Sequence, residues 1–136
     1  MAYKVFISHA GTDTWVAKQI ERHIKDAAAD TFMDAANIDI GDQFEEKLLA
    51  ELKLSKELLV LFTPWSLERP YVWMEIGAAW VLNLRIAVVL HGLTNTDIIA
   101  NPKIPVKIKA SDVVIINDID DYFEQLKKRV ILMYNR

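Results

Sequence analysis

The stretch "ELLVLFT" at residues 57–63 shows no alternation of apolar and polar side chains. A strand with one face in water alternates, so a run that is apolar at consecutive positions reads as a strand covered on both faces. "RIAVVLHG" at 85–92 is continuous in the same way. Both runs are strand-length and far short of a membrane span. A chain with two such strands must supply cover above and below its sheet, which is the demand of a parallel sheet sandwiched between helices.

The rest of the chain supplies that cover. "KVFIS" (4–8), "TFMD" (31–34) and "DVVIIND" (112–118) are further short runs rich in β-formers, giving five in all. "AGTD" reads as a turn, after which Val16, Ile20, Ile24 and Ala27 or Ala28 recur at helical spacing. Phe44, Leu48 and Leu52 mark a second helix, with Asp39 or Asp42 near its start. Thr63 and Pro64 read as a cap and a first helical position, and the helix that follows is interrupted or restarted at Pro70 and runs to about Asn83. "LTNTDIIANPKIP" is a loop with one helical turn. Ile119, Phe123, Leu126, Val130 and Met133 then share a face of a closing helix, with Asp120 and Asp121 in its first turn. Strand and helix alternate five times, so the expected fold is α/β: a flavodoxin-like, doubly wound five-stranded parallel sheet with helices on both faces, spanning residues 1–136 as a single domain.

Composition narrows the function classes. With 52% hydrophobic residues over 136 positions, the chain is expected to fold around a sizeable core. Sixteen basic against nineteen acidic residues give no electrostatic reason to expect nucleic acid or an anionic membrane as a direct partner. The absence of cysteine excludes disulfides, thiolate nucleophiles and Cys-based zinc sites, and fits a cytoplasmic protein. "MAYKVFISHAG" has a charge within it and no long apolar run after it, so it is not read as a signal peptide.

Sheets of this kind bind ligands beyond the carboxyl ends of their strands, which points to the loops after Ser8, Asp34, Thr63 and Leu90. No glycine-rich phosphate loop is present. His9 and His91 both follow strands and could meet at that edge, but their spacing is no metal signature, and no metal site is expected. His23 is placed on a solvated helix face. Ser8 and His9 are not a catalytic pair, because adjacent strand residues point to opposite faces. "NDIDD" lacks the glycine and terminal glutamate of a calcium loop. A phospho-receiver would need paired acids after the first strand, where "SHAG" stands, and an Asp ending the third, where "FTP" stands.

One carboxylate is left to explain. Between Arg69 and Arg85 the single charged residue is Glu75. A helical wheel puts Trp73, Ile76 and Trp80 on one face, beside Val72 and Ala79, and leaves Glu75 with Tyr71, Ala78 and Leu82. Two readings stand on pattern alone. Glu75 is partly exposed, paired with Arg69 or Arg85, and contributes only solubility. Or it lies in a cleft, where desolvation raises its pKa and makes it a functional candidate.

"VFISHAGTD", "TFMDAANIDIGDQFEEKL" and "LLVLFTPWSLERPYVWMEIGAAW", in this order and spacing, together resemble the Toll/interleukin-1 receptor (TIR) domain in its bacterial form, over about Lys4 to Phe123. The resemblance implies the same fold. It also implies an enzyme that cleaves NAD+ between nicotinamide and ribose, giving nicotinamide plus ADP-ribose or a cyclic ADP-ribose-type signal in anti-phage defence. NAD+ would be substrate and no cofactor is implied. The family's catalytic glutamate, four residues after an aromatic, matches Glu75 after Tyr71. His9 and Ala10 match the substrate-contacting loop after the first strand, although an arginine frequent there in the family is missing. Asp34, Gly41 and Phe44 fall at the end of the second strand and in the gating loop after it, called the BB loop. Homo-oligomers formed through TIR–TIR contacts of that loop are implied, together with a separate sensor or effector protein, since the chain has no room for a sensor of its own. Two rivals remain. One is a non-catalytic TIR adaptor, which has no need of Glu75. The other is a nucleoside deoxyribosyltransferase-like enzyme, which shares the sheet architecture and a catalytic glutamate.

Overall fold

A computed structural model describes residues 2–33, 43–105, 108 and 112–135. Five strands form one parallel sheet: β1 (Lys4–Ser8), β2 (Asp30–Met33), β3 (Glu57–Phe62), β4 (Arg85–Leu90) and β5 (Asp112–Ile115). Their spatial order is β2-β1-β3-β4-β5, every neighbouring pair parallel. The helices are α1 (Thr14–Asp26), α2 (Gln43–Leu54), α3 (Pro70–Val81), α4 (Asn95–Ala100) and α5 (Ile119–Tyr134). The doubly wound architecture expected from the sequence is the one observed. The strands end slightly earlier than the apolar runs suggest. Thr63 and His91 lie just outside β3 and β4, and residues 116–118 form a turn of 3-10 helix leading into α5.

The continuous strands are covered as their sequence demands. All six residues of β3 are buried, and they feed two cores in strict alternation. Leu59 and Leu61, with Val5, Ile7, Ala87 and Val89, pack against α1 and α5. Leu58, Val60 and Phe62, with Phe6, Ile86, Val88 and Leu90, pack against α2, α3 and α4. On α1 the buried stripe is Ala17, Ile20 and Ile24, continued by Ala27 just past the helix end, while Val16 is only partly covered. Ala28 takes φ 65° where the chain reverses into β2, a left-handed turn of the kind that ends helices. His23 is exposed as expected, with its ring stacked on Phe123 at 5.0 Å.

The amino-terminal edge of the sheet holds a buried charge. Glu57, the first residue of β3, is fully buried and accepts hydrogen bonds from the hydroxyls of Tyr3 and Tyr122. Arg129 of α5 reaches both its oxygens, Nε at 3.1 Å and Nη2 at 3.2 Å, and lies 5.7 Å from the centre of the Tyr122 ring. Burial, followed by the adjacent Glu57 carboxylate, pushes the Tyr3 hydroxyl up to about 12 and raises Tyr122 as well. Burial works against the charge of Arg129, but Glu57 overcomes it and holds the guanidinium above its ordinary range. Each Glu57 oxygen thus accepts two hydrogen bonds, the condition under which a buried ion pair is tolerated.

The carboxyl-terminal edge, where ligands bind in such sheets, is tied together by polar turns. Thr63 Oγ1 donates to Asp13 Oδ2 at 2.6 Å, joining the turn after β1 to the turn after β3. The same oxygen accepts from the Ser66 backbone N–H at 3.1 Å and so braces the short 3-10 turn Ser66–Glu68, whose N-cap is Trp65; no helix starts at Pro64. The restart at Pro70 is real: Pro70 is the first residue of α3, where its missing N–H costs nothing. Among the described residues no helix is long and apolar enough to cross a membrane.

Candidate active site

In α3 the residues that turn inward are Val72, Glu75, Ile76 and Ala79. Glu75 is only 2% exposed, whereas Trp80 is 57% exposed. Trp80 therefore lies outside while the carboxylate lies inside, in a cleft and not on a solvated face. Trp73 is half-buried, its ring tilted at 44° to that of Phe62 with centroids 5.5 Å apart and its indole N–H donating to the Leu67 carbonyl at 3.0 Å. An exposed Glu75 paired with Arg85 is excluded by that burial, and Arg85 pairs instead with Asp112.

Glu75 is reached by a residue at the carboxyl end of β1. Ser8 Oγ donates to Glu75 Oε1 at 2.9 Å, and Ser8 itself is fully buried. Ser8 stands beside Val60 of β3, so this contact lies where β1 and β3 adjoin. In a sheet of order 2-1-3-4-5 that is the switch point, where successive connections leave to opposite faces and open a crevice.

Beside Glu75 a cleft of about 360 Å³ opens between α2 and α3, lined by Leu48, Leu49, Leu52, Tyr71, Met74, Glu75 and Ala78. Among its described lining residues only Tyr71 and Glu75 carry a polar side-chain oxygen. Among the described lining residues Glu75 is the one carboxylate. A charge in such surroundings is poorly screened and acts strongly on any charge that develops next to it. Tyr71 sits one helical turn before Glu75, with its hydroxyl donating to the His9 carbonyl at 3.1 Å. The ring thus forms part of the wall while its tip fastens α3 to the end of β1.

The other expected site residues divide into two groups. His9 and Ala10 are buried at the carboxyl end of β1 and do not line the cleft. His9 Nδ1 donates to the Ala10 carbonyl at 2.8 Å, and Nε2 is buried with no hydrogen-bond partner among the described residues. Asp34 and Gly41 lie outside the described residues, as does the side chain of Phe44 in the first turn of α2. Among the described residues no three His, Cys, Asp or Glu side chains are grouped as a metal ion would require. Sequence reasoning missed Ser8, and Met74 and Leu49 as walls. It did place Tyr71 and Ala78 on the side of Glu75, and Leu48 and Leu52 on one face of α2.

A family model for the TIR domain matches residues 5–129. Among solved structures, the TIR domain of the Toll-related receptor TRR-2 from Hydra magnipapillata superposes with a TM-score of 0.67 at 18% identity, covering 93% of this chain and 96% of that one. The TIR domains of the activated Roq1 resistosome, which directly recognises the pathogen effector XopQ, give 0.62 at 16% identity, covering 98% and 84%. The CMP N-glycosidase BcmB of Clostridium botulinum gives 0.59 at 20% identity, covering 93% and 98%. No curated protein matches the chain. With the family model spanning nearly all of the sheet and its helices, the chain belongs to the TIR domain family.

Proposed function

We propose that the chain is an NAD+ nucleosidase, with Glu75 as its catalytic carboxylate. The observation that carries this reading is Glu75 itself: buried, held by Ser8, and set in the wall of an apolar cleft. A carboxylate is costly to bury, and a site that uses one gains from the desolvation that makes it costly.

The chemistry needs one carboxylate. O-glycosidases use a second acid to protonate the leaving oxygen. In NAD+ the nicotinamide is already cationic; it departs with the electrons of the C1′–N bond and leaves neutral. Positive charge grows on the ribose, and an anionic Glu75 beside C1′ stabilises it. Water then adds at C1′ and loses its proton, so that NAD+ and water become nicotinamide, ADP-ribose and a proton. If an adenine nitrogen adds at C1′ instead, the product is a cyclic ADP-ribose. Tyr71 packs against the nicotinamide ring and excludes water, a role that the family resemblance also gives Phe44. His9, Ala10, Asp34 and Gly41 belong to the loops that would hold the rest of the substrate. Homo-oligomers formed through the gating loop, a separate sensor or effector, a cytoplasmic location and a role in bacterial anti-phage defence complete the reading.

The resemblance to a CMP N-glycosidase favours a second substrate on the same site, a nucleotide with a neutral base. That base would need a proton as it leaves, and Glu75 is the one carboxylate among the described residues of the cleft, which favours the cationic nicotinamide. Incubation of dilute and of crowded, concentrated protein with NAD+ or CMP separates these readings. Nicotinamide release that disappears in Glu75→Ala is the expected result. Cytosine release would transfer the site to CMP, and activity surviving the substitution would remove Glu75 from its role. Inactivity under every assembly condition would favour the adaptor. Chromatography of the products distinguishes hydrolysis from cyclisation.

A further inference from the structure

We infer that Ser8 is a positioning residue for Glu75: its hydroxyl, carried on the sheet, fixes which way the carboxylate faces. The inference rests on Glu75 acting as proposed above.

A glutamate side chain on a helix has three rotatable bonds, and a carboxylate that turns away from C1′ by an ångström loses much of its effect. Something has to hold it. Ser8 is fully buried, and a buried hydroxyl that found no acceptor would itself be destabilising. Its acceptor is Glu75 Oε1, at 2.9 Å and 67 residues away in the chain. The support behind Ser8 is rigid. It lies in register with Val60 of β3, and Phe6, two residues earlier on the same face of β1, is fully buried in the core beneath α3. A hydroxyl has one hydrogen to donate, so in this geometry it is committed to Glu75. Serine suits the position because its side chain reaches the carboxylate without extending into the cleft, whose lining it does not join.

Two variants test this against a role in packing alone. Ser8→Ala removes the donor; Ser8→Cys keeps nearly the same size and replaces the donor by a weak one. The measurements are kcat and KM for nicotinamide release, beside thermal midpoints of all three proteins. Loss of a hydrogen bond to a charged group should lower kcat about 10- to 100-fold in Ser8→Ala, with KM within about twofold of wild type. Ser8→Cys should keep its thermal midpoint within a few degrees of wild type, yet show a kcat close to that of Ser8→Ala. A packing role predicts the reverse for cysteine, a kcat near wild type, and that result would overturn the inference. So would an unchanged kcat in Ser8→Ala. An active wild type with unaffected Ser8 variants defeats this inference alone, whereas an inactive wild type defeats the reading of Glu75 and this inference with it.

Discussion

Replacing Glu75 by glutamine keeps the shape of the side chain and removes its charge, so it isolates the electrostatic part of the proposed role. By analogy with other electrostatic stabilisers, the barrier should rise by about 2–4 kcal/mol, a loss of roughly two to three orders of magnitude in nicotinamide release. A fall of less than tenfold would show that charge is not what the residue contributes. Tyr71 separates into a ring and a hydroxyl. Tyr71→Phe gives up the bond to the His9 carbonyl, at a cost of about 1 kcal/mol that a denaturant melt would register, and keeps the wall of the cleft. Tyr71→Ala removes the wall as well and should raise KM. Ser8 shows why single residues were partly legible. Its neighbour His9 could be dismissed as a catalytic partner from strand alternation, but its true partner is 67 positions away and no local spacing points to it.

At the scale of elements, β3 and β4 were readable because a fully covered strand needs no alternation, and their burial follows their sequence. Helix α3 was harder for the same reason inverted. It is apolar nearly all round, so no stripe says which side faces the sheet, and the wheel alone left Glu75 either partly exposed or in a cleft. Contact with the sheet decides: Val72, Ile76 and Ala79 pack there, and Glu75, one position from Ile76, goes in with them. Midway along this helix sits Gly77, where an added Cβ would meet nothing within 4 Å. Glycine inside a helix is less favourable than alanine by roughly 0.5–1 kcal/mol. Gly77→Ala should therefore stabilise the protein by about that amount, read as a higher denaturant midpoint with unchanged slope. A lower midpoint would mean that the helix surface at Gly77 is not open. The segment carrying Asp34 and Gly41 lies outside the described residues, so those expectations rest on resemblance alone.

At the scale of the whole molecule, the cluster around Glu57 couples stability to pH. Unfolded, Tyr3 would titrate near its ordinary 10; folded, it is held up to about 12. Between those values the folded state keeps a proton that the unfolded state has lost, so stability falls as pH rises through this window and is fully present below it. Tyr122 is shifted in the same direction. Denaturant midpoints measured from pH 8 to 12 should decline from about pH 10 onward, and the decline should be shallower in Tyr3→Phe; equal slopes would rule out the coupling. Arg129→Ala leaves Glu57 buried without its cation and should cost about 3–5 kcal/mol. None of this cluster was anticipated from sequence, since Arg129 and Tyr3 are 126 positions apart and meet only because α5 returns across the sheet. Glu57 opens β3, while Ser8, which meets Glu75, is in register with Val60, about 10 Å further along the strand direction. Changes that far apart, with no shared partner, combine nearly additively. A protein engineer could therefore harden the alkaline tolerance of this domain at one rim and leave its turnover at the other untouched.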